Sequence, residues 1–278
     1  MTRVPHIIAS SGPVGAPRRL RQKPADTRLV RLGHDIDVWD RTGRGTCATV
    51  TEEQRAPAVL FDVDGTLVDS NYLHVHAWAR AFAEVAIPVE TWRIHRSIGM
   101  DGAELISSLS GGADDEVAER LTDLHSQYYQ ESTSALRPLP GARELLDRVA
   151  SLGLQVVLAT SAPGDELATL RKVLDRDDVI STATSSGDVA AAKPRPDIVE
   201  VALDRAGVSA GRAVFVGDAV WDAEASGRAG VRSIGVLSGG ISRAELEEAG
   251  ASAVFENALA LCAQIEDSPI GQLLSGGR

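Results

Sequence analysis

The amino-acid sequence predicts an α/β protein: a Rossmann-like, doubly wound parallel sheet core with an inserted all-helical cap domain. Short apolar runs alternate with helical patterns through most of the chain. This order is typical of a parallel sheet with right-handed crossovers and helices on both faces. One stretch of about seventy residues breaks the alternation and contains only helical patterns. Aromatic residues are scarce at 4%, while the small aliphatic residues that suit a sheet buried on both faces are abundant.

Residues 1–56 differ from the rest of the chain. They are rich in Arg, Pro and Gly, and their hydrophobic periodicity is weak. Such a composition favours a flexible N-terminal extension, which is our prediction for this segment. The alternative is a short strand at Asp35–Trp39.

The strands of the core begin at Ala58. Ala58–Phe61 is a short apolar run that ends in Asp62, which is typical of a buried strand. Similar runs follow later in the chain, and the last predicts a short edge strand: Leu154–Ala159, Val179–Ala183, Ala213–Val216, Arg232–Val236 and Ala253–Phe255. Helical patterns separate them, for example Leu145, Val149 and Leu152. We assign residues 57–69 and 138–268 to the core and 269–278 to a C-terminal tail.

The helical insert covers residues 70–137. Val75, Trp78 and Phe82 lie on one helical face, and Leu121 and Leu124 lie on another. Because the insert follows the first core strand directly, we expect it to cover the carboxyl ends of the strands. Open α/β sheets bind their ligands at those ends.

Charge and cysteine content restrict the function. The net charge is −11, and residues 1–56 contribute a balance of +4, so the remainder carries −15. An acidic body is a poor partner for nucleic acid or anionic lipid, and no apolar run reaches the length of a membrane span. Cys47 and Cys262 lie far apart, without Cys or His companions, which argues against a disulfide scaffold or a zinc site. We expect a cytoplasmic enzyme, a monomer or homodimer, with a small-molecule partner rather than nucleic acid or membrane.

The segment Phe61-Asp62-Val63-Asp64-Gly65-Thr66-Leu67 is the most informative. Two carboxylates follow a buried strand, and Gly65 permits a sharp turn in which backbone N–H groups face an anion. Carboxylate oxygens suit Mg²⁺. A solvated turn would explain DxDG alone, but DxDGTL arises by chance in roughly one chain in ten thousand. Asp35-Ile36-Asp37 repeats the spacing without the strand or the Gly-Thr, and we interpret it as surface.

Three further signals end later strands. Thr160-Ser161 offers hydroxyl and N–H groups, Lys193 precedes Pro194-Arg195-Pro196, and Gly217-Asp218 is followed four residues on by Asp222. Each has a plain structural alternative: a helix cap, a solvated lysine, or an acidic first turn of a helix. Taken together, they predict that four strand ends surround one crevice holding phosphate and a metal.

This ordered set resembles the haloacid dehalogenase-like hydrolase superfamily, in the branch with a helical cap after the first motif. Phosphoglycolate phosphatases and β-phosphoglucomutases belong to that branch. The resemblance covers about residues 57–265. It implies a Mg²⁺-dependent phosphatase that hydrolyses a small phosphorylated metabolite, phosphoglycolate-like or sugar-phosphate-like, through an aspartyl phosphate.

The resemblance also implies catalytic roles. Asp62 attacks phosphorus, and Asp64 protonates the leaving oxygen and then activates water. Thr160 binds a phosphoryl oxygen, and Lys193 offsets the charge of nucleophile and phosphate. Asp62 must therefore stay ionised, whereas Asp64 must hold a proton near neutral pH, which a neighbouring phosphate would favour by raising its pKa.

The remaining implied roles concern the metal and the substrate. Asp62, the Asp64 backbone carbonyl and Asp218 are expected to bind Mg²⁺, and Asp222 to orient a metal-bound water or Lys193. The residues expected to bind substrate are Gly65, Thr66, Ser161 and Arg96. Ala192 precedes Lys193 where many relatives have glycine.

Several alternatives remain open. A phosphomutase would use the same Asp pair, a dehalogenase would leave Asp64 and Asp218 unexplained, and a non-catalytic binding protein could share the fold. In the cap, Arg93 or Arg96 could meet a second anionic group on the substrate. Other cap residues are candidates for recognition or for ordinary packing: His74, His76, His95 and Met100. We expect Trp78, Trp92 and Tyr128 to pack the cap helices.

Overall fold

The computed structural model describes residues 54–189 and 193–275 in full, together with the backbone of three earlier strands. These are β1 (Val30–Leu32), β2 (Asp35–Trp39) and β3 (Gly45–Ala48). They form an antiparallel sheet of order β1-β2-β3 within a compact unit of residues 1–50. The strand considered at Asp35–Trp39 is β2. Flexibility of residues 1–56 stays a prediction, since most of this segment lies outside the described residues.

Residues 51–278 form the second unit, whose centre is a six-stranded sheet. Its strands are β4 (Ala58–Phe61), β5 (Gln155–Ala159), β6 (Ile180–Thr184), β7 (Ala213–Gly217), β8 (Arg232–Val236) and β9 (Ala253–Phe255). The order is β6-β5-β4-β7-β8-β9, and every neighbouring pair is parallel. The predicted fold class is confirmed.

The strand order reverses between β4 and β7. From β4 the chain proceeds outward through β5 and β6, and then returns to β7 on the other side of β4. Such a reversal leaves a crevice at the carboxyl ends of the two central strands, where open α/β sheets bind ligands. Asp62 and Asp218 immediately follow these strands.

The cap consists of four helices between β4 and the rest of the core. They are α1 (Asn71–Glu84), α2 (Thr91–Ser97), α3 (Gly102–Ser110) and α4 (Asp115–Ser132). Acidic N-caps begin two of them: Asp101 accepts the N–H groups of residues 103 and 104, and Asp114 accepts that of residue 117. The apolar faces of α1 and α4 pack together, burying Trp78, Phe82 and Leu121.

Seven α-helices complete the described part of the core. They are α5 (Ala142–Ser151), α6 (Gly164–Leu174), α7 (Asp197–Ala206), α8 (Val220–Arg228), α9 (Arg243–Glu248), α10 (Ala258–Ala263) and α11 (Pro269–Ser275). In β4, Val59 and Phe61 join one apolar cluster and Leu60 another, because side chains alternate across a strand. Sequence analysis assigned residues 269–278 to a tail, but α11 buries Ile270 and Leu273.

None of the helices in the described part of the chain combines the length and apolarity needed to cross a bilayer.

Candidate active site

The loop after β4 carries the first two carboxylates. The Asp62 N–H donates to the carbonyl of Val216 at 2.9 Å, which fixes the start of the loop beside β7. Gly65 has a φ of +76°, and an added Cβ there would lie 2.5 Å from Oδ2 of Asp218. Glycine is therefore required both by the backbone conformation and by this close approach. The Thr66 hydroxyl donates to Oδ1 of Asp218 at 2.7 Å, so the loop also positions a carboxylate on the neighbouring strand.

Lys193 lies beneath this loop and is 1% exposed. Its Nζ is 2.5 Å from Oδ1 of Asp62 and 2.7 Å from Oδ1 of Asp222. Burial alone would lower the pKa of Lys193, but the charges of Asp222 and Asp62 outweigh it and raise the pKa above the usual value. The lysine is therefore a fixed positive charge against the predicted nucleophile.

Three buried carboxylates gather around this lysine. Oxygen atoms of Asp62, Asp218 and Asp222 lie within 4.8 Å of one another. Burial and the charge of Asp222 raise the pKa of Asp218 to about 7. Burial also raises the pKa of Asp62 well above its usual value, against the opposing effect of Lys193. One lysine does not balance three carboxylates, and an all-oxygen donor set with excess negative charge fits a hard divalent cation such as Mg²⁺.

Asp64 points to the cap side of the same loop. The Ser70 hydroxyl donates to its Oδ1 at 2.5 Å, and Nε2 of His74 lies 3.4 Å from the same atom. Burial would raise the pKa of Asp64, but the hydrogen bonds from His74 and Ser70 and the charge of His74 lower it on balance. This direction is opposite to the one expected for an acid that holds its proton before substrate arrives.

His74 on α1 joins the cap to the core. Its Nε2 lies 3.3 Å from Oε1 of Glu166 on α6, and its ring stacks on Tyr129 at 4.0 Å. Although burial opposes it, Glu166 and Asp64 raise the pKa of His74 to about 10. Burial and the charge of His74 hold the pKa of His125 well below its usual value. His74 is therefore cationic at neutral pH, and its Nδ1–H donates to Nε2 of His125 at 3.1 Å.

Thr160 and Ser161 follow β5 beside the carboxylates. The Thr160 hydroxyl accepts the N–H of Ala162 at 3.0 Å, so the turn after the strand is held tightly. The Ser161 hydroxyl is buried and has no hydrogen-bond partner among the described residues. A buried hydroxyl without a partner is costly unless a ligand satisfies it, which fits a role toward a phosphoryl oxygen.

A cavity of about 630 Å³ lies between the cap and the strand ends. Asp62, Asp64 and Asp218 line it on the core side. The cap closes over it through backbone contacts: the N–H of Asp101 donates to the carbonyl of Lys193 at 2.9 Å, and Nε2 of His95 lies 2.9 Å from the carbonyl of Gly239. These contacts hold the cap against the strand ends beside the carboxylate cluster.

The structure brings most of the predicted site residues together, with Arg96 as the exception. Thr160 and Ser161 line the cavity with the first-loop carboxylates, and Lys193 and Asp222 lie directly below. Arg96 does not line the cavity; its exposed guanidinium pairs with Glu245 on α9. Arg93 pairs within the cap, with its Nη1 lying 3.6 Å from Oε2 of Glu90 three residues earlier.

Sequence reasoning missed three residues of the site. Asn71 donates to Oδ2 of Asp218 at 2.9 Å, Glu166 pairs with His74, and Gly239 packs so closely that an added Cβ would lie 1.7 Å from Oδ2 of Asp218. None belongs to a local motif. Asn71 and its partner Asp218, for example, are 147 positions apart in the chain. Only the acidic first turn of α6 offered a signal for Glu166, and this pattern is common at helix starts.

Comparison with known proteins identifies the family. The family model described as haloacid dehalogenase-like hydrolase matches residues 59–236. This chain belongs to that family, and the family and fold predictions are confirmed. A crystal structure of a hydrolase from Pseudomonas syringae superposes with a TM-score of 0.73 at 38% identity, covering 76% of this chain and 98% of that one.

Two curated relatives narrow the comparison. The chain is 31% identical over 211 residues to the phosphoglycolate phosphatase of Rhodospirillum rubrum, covering 72% of this chain and 87% of that protein. It is 30% identical over 205 residues to the phosphorylated carbohydrates phosphatase of Thermotoga maritima, covering 72% of this chain and 94% of that protein. The family and these relatives together support the predicted enzyme class, a phosphoric monoester hydrolase.

Proposed function

We propose that this phosphoric monoester hydrolase removes phosphate from a small phosphorylated metabolite through an aspartyl phosphate on Asp62, with Mg²⁺ as its cofactor. The observation that carries the proposal is the position of Lys193, whose Nζ contacts both Asp62 and Asp222 at the end of the central strands. The charge of a buried lysine lowers the pKa of the carboxylate that it contacts, against the effect of burial, and it offsets the charge of an incoming phosphate.

The chain's own residues divide the reaction between them. The Asp62 carboxylate attacks phosphorus, and the bond from phosphorus to the leaving oxygen breaks. Asp64 gives that oxygen a proton; it then takes a proton from the water that attacks the aspartyl phosphate and releases inorganic phosphate. The lowered pKa of Asp64 is compatible with this role because the negative charge of a bound phosphate raises the pKa of a neighbouring carboxyl.

The neighbouring side chains orient the phosphate. Thr160 and the unpartnered hydroxyl of Ser161 are available to bind non-bridging oxygens. Asp62, the backbone carbonyl of Asp64 and Asp218 are the proposed Mg²⁺ ligands, with Asp222 holding Lys193. When bound, the cation would offset negative charge on the phosphoryl oxygens.

Replacing the nucleophile tests the mechanism. We expect Asp62→Asn to lower kcat on p-nitrophenyl phosphate by at least about a thousandfold, because the amide cannot form the covalent intermediate. Asp69→Asn is the matched control, since Asp69 is exposed and lies in the same segment. Circular dichroism spectra should be the same for all three proteins.

A chemical trap tests the intermediate itself. Borohydride reduces an acyl phosphate, so peptide mass spectrometry of substrate-treated wild-type protein should find homoserine at position 62. Wild-type turnover without this product, or substantial activity in Asp62→Asn, would contradict the covalent scheme. Free phosphate should appear in proportion to substrate consumed, whereas a phosphomutase would give an isomeric phosphate ester instead.

A further inference from the structure

We propose that the leaving group of the natural substrate is an uncharged, hydroxyl-rich group of about the size of a sugar, and that the cavity discriminates against esters carrying a second anion. This inference rests on the proposed phosphatase function, and it narrows the substrate class. It departs from the sequence-based expectation that Arg93 or Arg96 meets an anionic group on the substrate.

The charge of the cavity wall is the first observation. Among the residues that the structure describes, no lysine or arginine side chain lines the cavity. Six carboxylate residues do: Asp62, Asp64, Asp101, Asp165, Glu166 and Asp218. The proposed metal and Lys193 would offset the negative charge of the carboxylates near the phosphate, Asp62 and Asp218. Away from the phosphate, a carboxylate or second phosphate on the leaving group would meet Asp101 and Asp165, for which no ion pair is found among the described residues.

The nearby positive groups are already engaged. Arg96 pairs with Glu245, outside the cavity. His74 lines the cavity, but its Nε2 lies between Asp64 and Glu166. The N-terminus of α3 also faces the cavity, and there the side chain of Asp101 accepts the N–H groups of residues 103 and 104 at 2.9 and 3.2 Å. A second anion on the substrate therefore finds no free donor of positive charge on these elements.

The uncharged side chains of the wall suit a sugar. Thr122, Ser126 and Gln130 repeat every four residues on one face of α4, are exposed, and line the cavity. Hydroxyl and amide groups of this kind both donate and accept hydrogen bonds, as sugar hydroxyls require. The rings of Trp78 and Tyr129 also line the cavity, but both are buried and stack on His125 and His74, so the polar side chains of α4 are the groups available to a sugar.

The size of the cavity agrees with this chemistry. A volume of about 630 Å³ lies within the usual range for small-molecule sites. A two-carbon leaving group would fill only a small part of this space.

Matched pairs of esters test the inference. Glucose 6-phosphate is compared with 6-phosphogluconate, and glycerol 3-phosphate with 3-phosphoglycerate; in each pair the second ester adds a carboxylate at similar size. We expect kcat/KM to favour the uncharged member of each pair by at least about tenfold, and glucose 6-phosphate to exceed glycerol 3-phosphate. Binding of the same esters to Asp62→Asn with Mg²⁺, followed by tryptophan fluorescence, should show the same order.

A charge added to the wall provides a second test. Gln130→Arg should reduce the ratio of kcat/KM between the uncharged and the carboxylate-bearing ester of each pair by about threefold to tenfold, because it places a cation on the cavity wall. Gln127→Arg is the matched control: Gln127 is exposed on the same helix but does not line the cavity, so the preference should not change.

The outcomes separate the two proposals. Equal or preferred use of the anionic esters would overturn the inference while leaving the phosphatase function intact. Failure to hydrolyse any phosphate ester would overturn the proposed function. The binding order on Asp62→Asn would then still decide the inference, and a failure to bind any of the four esters would overturn it.

Discussion

At the scale of single residues, the position of one carboxylate depends on several distant groups. Thr66 and Asn71 each donate to one oxygen of Asp218, and Gly239 leaves no room for a side chain beside it. The raised pKa of Asp218, about 7, follows from its burial and from Asp222 rather than from any lack of hydrogen bonds. A cation bound there would restore the charged form, because it offsets both effects.

His74 gives the protein a pH-dependent contribution to stability. Its folded-state pKa of about 10 is raised above the usual 6.5, so the stabilisation is complete below about pH 6.5 and is lost as the pH rises toward 10. The difference in urea midpoint between the wild type and His74→Gln, measured without metal, should therefore shrink from pH 6 to pH 10. A difference that stays constant over this range would contradict the ion pairs assigned to His74.

At the scale of elements, the cap and core meet through two ion pairs between side chains, one at the cavity and one outside it. His74 on α1 pairs with Glu166 on α6, and Arg96 on α2 pairs with Glu245 on α9. The backbone N–H of Asp101 and the side chain of His95 add contacts to backbone carbonyls of the core. The first pair is largely buried and the second is exposed, so they should differ in how much they affect the site.

Replacement of Arg96 tests whether it is a substrate ligand or a surface partner of Glu245. We expect Arg96→Ala to change KM for any phosphate ester by less than about threefold, since exposed ion pairs contribute little. Glu245→Ala should have the same small effect, because each variant breaks the same pair. An increase in KM confined to Arg96→Ala would restore the substrate-binding role predicted from sequence.

At the scale of the whole molecule, the second unit concentrates negative charge at one buried point. The carboxylates of Asp62, Asp218 and Asp222 approach within 4.8 Å, with Lys193 as their buried cationic partner. Repulsion within such a cluster opposes folding, and a cation that binds only the folded state offsets it.

Mg²⁺ should therefore stabilise the whole unit as well as support turnover. At one hundred times its dissociation constant, the ion should add about 2.7 kcal/mol, visible as a rise of several degrees in melting temperature. EDTA should abolish both the rise and the activity. Asp218→Asn should lose most of the shift and Asp69→Asn should keep it; an unchanged shift in Asp218→Asn would contradict the assigned ligand.

Local patterns were enough to predict the sheet, the helical cap and the motif residues at the strand ends. Apolar runs of strand length, helical periodicity and short acidic motifs each depend on neighbours along the chain, and the parallel sheet then brings the strand ends together. Lys193 and Asp222 were found in this way. The family resemblance left open whether Asp222 orients a metal-bound water or Lys193, and the structure places it against Lys193.

The tertiary structure alone decided which cap side chains face the cavity. Arg96 and Gln130 both lie on cap helices, yet one pairs with Glu245 and the other lines the cavity. The partners of Asp218 and His74 come from segments far apart in the chain, so no spacing rule reveals them. The sequence by itself determined which residue types stand at the strand ends, and the chemistry proposed at the phosphate follows from those residue types. The substrate preference depends on how the cap helices are rotated and packed over the sheet, which only the folded structure determines.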